Sequence, residues 1–221
     1  MARVHAAVLA GDMAPLSRPL LVCRVTAGLL AVAAACAATA ATVTVHVTDA
    51  DGKPLPDAAA LLEPVGPKGA VKPLADVQIS QAKRQFMPRL TIVTTGTPVT
   101  FPNFDTVRHH VYSFSPAKTF ELKLYAGVPN VPVVFDKPGI AVLGCNIHDN
   151  MAAWVVVADT PWFARSAEDG HARIDNVPAG TYRLRVWHPG LGANVEPVTV
   201  PLALAAADAA QTVKLPVSVQ P

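Results

Sequence analysis

The chain reads as a succession of short alternating segments separated by turn residues. Val43, Val45 and Val47 alternate with Thr44, His46 and Thr48, the period-two pattern of a strand with one buried face. A turn follows at residues 49–54, where Asp51-Gly52 and Pro54 punctuate the chain, and residues 58–62 form a second strand. A loop rich in Pro, Gly and Lys at residues 64–74 is the first candidate boundary. Beyond it the pattern predicts strands at residues 77–79, 90–94, 99–101, 111–115, 120–125, 131–135 and 140–143. A near-continuous apolar strand at 153–158 closes that region. The last third adds strands at 172–174, 181–187, 195–200 and 212–219. In the strand at 181–187, Tyr182, Leu184 and Val186 share one face, with Arg183, Arg185 and Trp187 on the other. The Ala-rich stretch at 202–210 fits a helical turn or a loop equally well. The expected class is all-β.

The first forty residues follow a different rule. Arg3, Arg18 and Arg24 precede an uncharged apolar run at 25–37, and Ala38-Thr39-Ala40 supplies small residues for cleavage, the layout of an export signal over residues 1–40. Met13 as the start would give a leader of more ordinary length. The apolar run has about thirteen residues, short of the ~20 that a spanning helix needs, and Ala33 stands where a lipoprotein signal ending at Cys36 prefers Leu. The expected location is therefore the periplasm, with no stable membrane insertion after cleavage. The whole chain has 18 Lys and Arg against 16 Asp and Glu. Without the leader fifteen of each remain, so the basic excess belongs to the leader. No clustered basic face suggests a nucleic-acid partner.

Cys23 and Cys36 leave with that leader, and Cys145 is then the only thiol. In an oxidising compartment a lone thiol is open to oxidation and exchange, and a bond to a metal would protect it; an inert buried cysteine is the plainer alternative. Its neighbours favour the metal. Cys145, His148 and Met151 recur every third residue between two strands, a spacing at which a tight loop can turn all three toward one ion. A further imidazole must come from another strand, and His109 and His110 stand just before the strand at 111–115. Adjacent strand residues face opposite ways, so only one of this pair can point at the ion. Thiolate, imidazole and thioether together suit copper, whereas zinc sites use Cys, His and carboxylates but not usually thioether. A Cys–His nucleophilic pair lacks an obvious third member.

These residues carry a resemblance. Residues 86–157 resemble the cupredoxins, through Phe86-Met87-Pro88, the run from Gly96 to Asn103, Asp105, His109, Pro138-Gly139 and Cys145-x2-His148-x2-Met151. The ligand loop is amicyanin-like, and the wider pattern is similar to exported bacterial proteins labelled methylamine utilisation protein. The resemblance implies a Greek-key β-sandwich over residues 75–158 holding one copper ion that cycles between Cu(I) and Cu(II). His109, Cys145 and His148 would be its equatorial ligands and Met151 the axial one. Cupredoxins usually place Asn after the first ligand His; here His110 stands there, and His110 remains a possible ligand in its place.

The implied role is electron transport, not catalysis, with transient redox proteins as partners. Docking is expected around His148, with Met151, Ala152 and Pro132 as apolar neighbours. A copper carrier or storage protein without redox function is the alternative. Residues 43–65 and 166–200 resemble the two ends of a carboxypeptidase regulatory-like sandwich, through Asp51-Gly52-Lys53-Pro54, Asp169-Gly170, Val177-Pro178-Ala179-Gly180 and Tyr182. The expected layout is thus a second small β-sandwich built from residues 43–65 and 160–221, flanking the cupredoxin unit. Extra edge strands on one larger sandwich are the other possibility. His46, His171 and His188 are expected to be surface or core residues.

Overall fold

The computed structural model describes residues 40–218, and these are all-β with one short 3-10 turn at Pro189–Leu191. The predicted leader, apart from its last residue Ala40, lies outside the described residues. Among them, no helix is long and apolar enough to cross a membrane.

Two sheets come from the ends of the chain. The first sets β1 (Ala41–Thr48) between β14 (His171–Val177), antiparallel to it, and β17 (Ala209–Lys214), parallel to it. The second has the order β13 (Phe163–Arg165), β2 (Ala59–Pro64), β15 (Gly180–Trp187), β16 (Val198–Leu204). The valines of β1 meet Leu62, Tyr182, Leu184 and Val186 in the core between these sheets.

The middle of the chain builds the other pair. A five-stranded sheet runs β6 (Leu90–Thr94), β12 (Ala152–Ala158), β11 (Gly139–Gly144), β8 (His109–Ser115), β9 (Lys118–Tyr125). Opposite it stands a small sheet of β10 (Val133–Phe135), β7 (Thr97–Thr100) and β3 (Val77–Gln78). The chain passes repeatedly between these two sheets, the over-and-back path of a Greek-key sandwich. Val99, Phe101, Phe135, Leu143, Val155 and Val157 fill their shared core.

A third core joins the two sandwiches. Ala59 and Leu61 of β2, Trp187 of β15, and Val156 and Ala158 of β12 are buried against one another. Strands β2 and β12 therefore have apolar neighbours on both faces, which is why their sequences run nearly continuously apolar instead of alternating. The same core explains the burial of Trp187. It does share the face of Arg183 and Arg185, but that face is covered by the other sandwich at this end, and Trp187 is fully buried.

Two small elements escape the sequence pattern. A hairpin of β4 (Ser80–Ala82) and β5 (Gln85–Met87) turns at Lys83 and Arg84, both with left-handed backbone (φ +54° and +57°). β13 is the other. The ambiguous stretch at 202–210 is neither helix nor long loop: β16 continues through Leu204, whose side chain is buried, and β17 begins at Ala209. The strand expected at 212–219 ends at Lys214, although Leu215 and Val217 stay in the core.

Gly170 closes the turn into β14 with φ +75°, and its carbonyl accepts from the amide of Val47. A Cβ there would lie 2.5 Å from the Val47 carbonyl oxygen and 3.1 Å from the Leu55 nitrogen, both rigid backbone. Gly170→Ala should lose at least about 1–2 kcal/mol from the left-handed conformation alone, with the clash added, read as a lowered urea midpoint.

Candidate metal centre

The residues of interest gather where β8 and the β11–β12 connection meet. Gly144, the last residue of β11, pairs with Tyr112 of β8, and the chain then turns twice through residues 145–151 before β12. The amide of Met151 donates to the His148 carbonyl (3.0 Å), which closes the loop around His148. Gly144 is needed for close approach: a Cβ there would lie 2.7 Å from the Tyr112 ring. The β8–β9 pairing shifts register between His109 and Val111, an irregularity of the kind that re-aims a side chain at a strand end.

His109, Cys145 and His148 meet: one ligand atom from each lies within 4.8 Å of the others, the one such group among the described residues. His109 is fully buried and Cys145 is 4% exposed, while His148 is partly open to solvent. Nδ1 of His109 stands 3.9 Å from the Cys145 sulfur, and the two imidazole rings meet edge-on with centroids 5.0 Å apart. Nδ1 of His148 is buried with no hydrogen-bond partner. An unpartnered buried nitrogen beside a buried thiol is costly in a protein core, and a metal ion would satisfy both. Met151 is 2% exposed and packs in the same core cluster as Cys145.

Asp105, named in the sequence only as part of a motif, takes a definite place. Its Oδ2 lies 2.8 Å from Nε2 of His109, and the amides of Lys83 and Arg84 donate to its two oxygens at 2.7 and 2.9 Å. Burial works against its charge, but the Arg84 amide, the His109 ring and the Lys83 amide outweigh it and hold the carboxyl below its ordinary range. Nearby, Tyr125 donates to the Phe101 carbonyl (2.6 Å) and accepts from Gln81. Burial pushes its phenol up to about 12.

His110 turns away from this cluster. Its ring lies 5.6 Å from that of Tyr112, and Nε2 is 2.9 Å from Glu121 Oε1 but out of line for a hydrogen bond. Of the other histidines, His46 and His171 stack across β1 and β14 at 4.5 Å, and His188 accepts the Gly190 amide at the 3-10 turn. One expectation needs correction: Met151 is sealed in the core and cannot belong to an exposed docking face. Exposed apolar side chains on the segments that build the centre are Ile147, beside His148 in sequence, Phe104 and Val107, just before His109, and Phe114, which lines the same cleft as Cys145.

The chain matches no protein-family model and no curated protein. Solved structures similar to it include cupredoxins, the family its motifs resemble. One is a reduced Cu(I) form of the P52G mutant of amicyanin, 17% identical, covering 45% of this chain and 98% of that one with a TM-score of 0.35. Another is a purple cupredoxin from Nitrosopumilus maritimus, 23% identical, covering 38% of this chain and all of the other with a TM-score of 0.33. A copper-containing nitrite reductase from Thermus scotoductus is 25% identical over 43% of this chain and 25% of its own length, with a TM-score of 0.36.

Proposed function

We propose that the cluster holds one copper ion and that the protein carries single electrons between redox partners of the periplasm. The observation that carries this reading is the convergence of one thiol and two imidazoles in a largely buried pocket, with His148 Nδ1 left unpartnered. One soft sulfur with two imidazoles fits copper, and Met151 is the candidate for the long axial position. The ion would supply a reversible one-electron couple.

The chain's own residues do the rest. Cys145 and Met151 belong to the core between β11, β12 and the opposite sheet, so their backbone is braced on both sides. His109 is fixed from behind by Asp105. Such bracing keeps the donors in one geometry whichever charge the site carries, which lowers the barrier to exchange. Of the three clustered side chains only His148 is partly exposed, and it is the proposed route outward.

Ile147, next to His148 in sequence, and Phe104 and Val107, on the segment that leads into His109, are exposed, and together they are the proposed apolar docking rim. The loop at 103–107 is tied to the end of β9 by Asn103, whose side-chain amide donates to the carbonyls of Val107 and Tyr125. A small rim of this kind suits brief, weak docking.

The test is made on purified, copper-loaded protein. An intense visible thiolate-to-copper band with a reversible voltammetric wave is expected. A colourless protein that holds only Cu(I) would instead indicate copper carriage or storage, and would end the electron-carrier reading.

A further inference from the structure

We propose that Asp105 is a positioning residue for the metal centre, and that it carries the rigidity of the β4–β5 turn to His109. The inference rests on the copper reading above for its electrochemical consequence, but its geometry stands without it. A carboxylate can only accept, so the 2.8 Å contact favours the proton on Nε2, and in the neutral ring this leaves the lone pair on Nδ1, facing the Cys145 sulfur. Without that contact a neutral imidazole could place its proton on either nitrogen, and half of the choices would close the site to a metal.

Asp105 is itself held at three points. The amides of Lys83 and Arg84 donate to its carboxylate, and its own amide donates to Asn103 Oδ1 at 2.9 Å. Two successive non-glycine residues with positive φ are costly, at about 1–2 kcal/mol each. Here that conformation aims two consecutive amides at one carboxylate. The hairpin adds little to either core, contributing only Phe86 to the cluster, so its turn has a clearer role as an anchor than as packing. Asn103 is 4% exposed and fastens the other side of the same loop.

An anionic partner also makes the imidazole a stronger donor, which favours the higher oxidation state of a bound metal. The contrast is His110, whose neighbour Glu121 stands out of line and on the other side of the strand.

The experiment pairs Asp105→Asn, a replacement of equal size that keeps an acceptor for the turn, with Glu121→Gln as control. On metal-free wild-type protein, nitrogen NMR of His109 should show a single tautomer with hydrogen on Nε2; a proton on Nδ1 would overturn the inference, whether or not any variant folds. In copper-loaded protein, Asp105→Asn should raise the midpoint potential and weaken Cu(II) binding about 10–100-fold, while Glu121→Gln leaves both within about twofold. If Asp105→Asn binds Cu(II) as tightly as wild type at an unchanged potential, Asp105 positions nothing. If the wild type takes up no copper while His109 keeps the Nε2 proton, the copper reading fails and the positioning role survives.

Discussion

Cys145→Ser should remove the intense visible band of the copper-loaded protein entirely while leaving an ordered β-sandwich. The sulfur is the one thiol among the described residues and sits 3.9 Å from His109 Nδ1 at the centre of the cluster. A serine oxygen is a hard donor that stays protonated at neutral pH, so it replaces neither the soft bond nor the charge-transfer transition. The fold has less at stake. Serine is slightly smaller, the His109 nitrogen lies close by as a partner for its hydroxyl, and the cost to the metal-free protein should not exceed about 1–3 kcal/mol. Absorption and copper stoichiometry check the first half, and urea unfolding of the metal-free protein checks the second. Copper bound with an unchanged band would show that the ligand assignment is wrong.

Trp187→Ala should have the largest effect on stability, about 3–5 kcal/mol. The indole is fully buried between the two sandwiches against Ala59, Leu61, Val156 and Ala158, and its Nε1 donates to the Gly192 carbonyl at 3.2 Å. Truncation leaves a large cavity in the core that joins the two sandwiches and removes the hydrogen bond to that carbonyl. The loss falls on the joint between the sandwiches, so thermal unfolding should broaden or divide into two steps while the metal centre keeps its spectrum in the cold. A single sharp transition at an unchanged Tm would show that this joint contributes little.

Much of this was legible from residue order alone, for identifiable reasons. The strands with one wet face, such as β1 and β15, announce themselves by alternation, and the Cys145–His148–Met151 spacing announces its chemistry. The hairpin at 80–87 does not: its strands are three residues long and largely polar, and Lys83-Arg84 is no usual turn pair, because its conformation is sustained by Asp105 from another part of the chain. Asp105 was visible as an acidic residue four positions before a histidine, but nothing in one dimension shows that the loop curls to bring them together. Trp187 was placed on the correct face of its strand. That this face is covered depends on a second sheet from the middle of the chain, which strand patterning cannot report. The resemblance pointed to His109 and strand alternation alone left His110 open; that His109 faces the thiol is seen in its 3.9 Å approach to the Cys145 sulfur.

The pairing of β1 with both β14 and β17 imposes an order on assembly. The first described strand has no neighbour in its own sheet until more than a hundred residues later have emerged, whereas every strand around the loop at 145–151 is present once Ala158 is made. The inner half can therefore close first, and the outer half must wait with its backbone donors and acceptors bare. A chain cut short just beyond β12 would keep His109, Cys145, His148 and Met151 and yet display two orphaned strands, each ready to pair with its counterpart on another molecule.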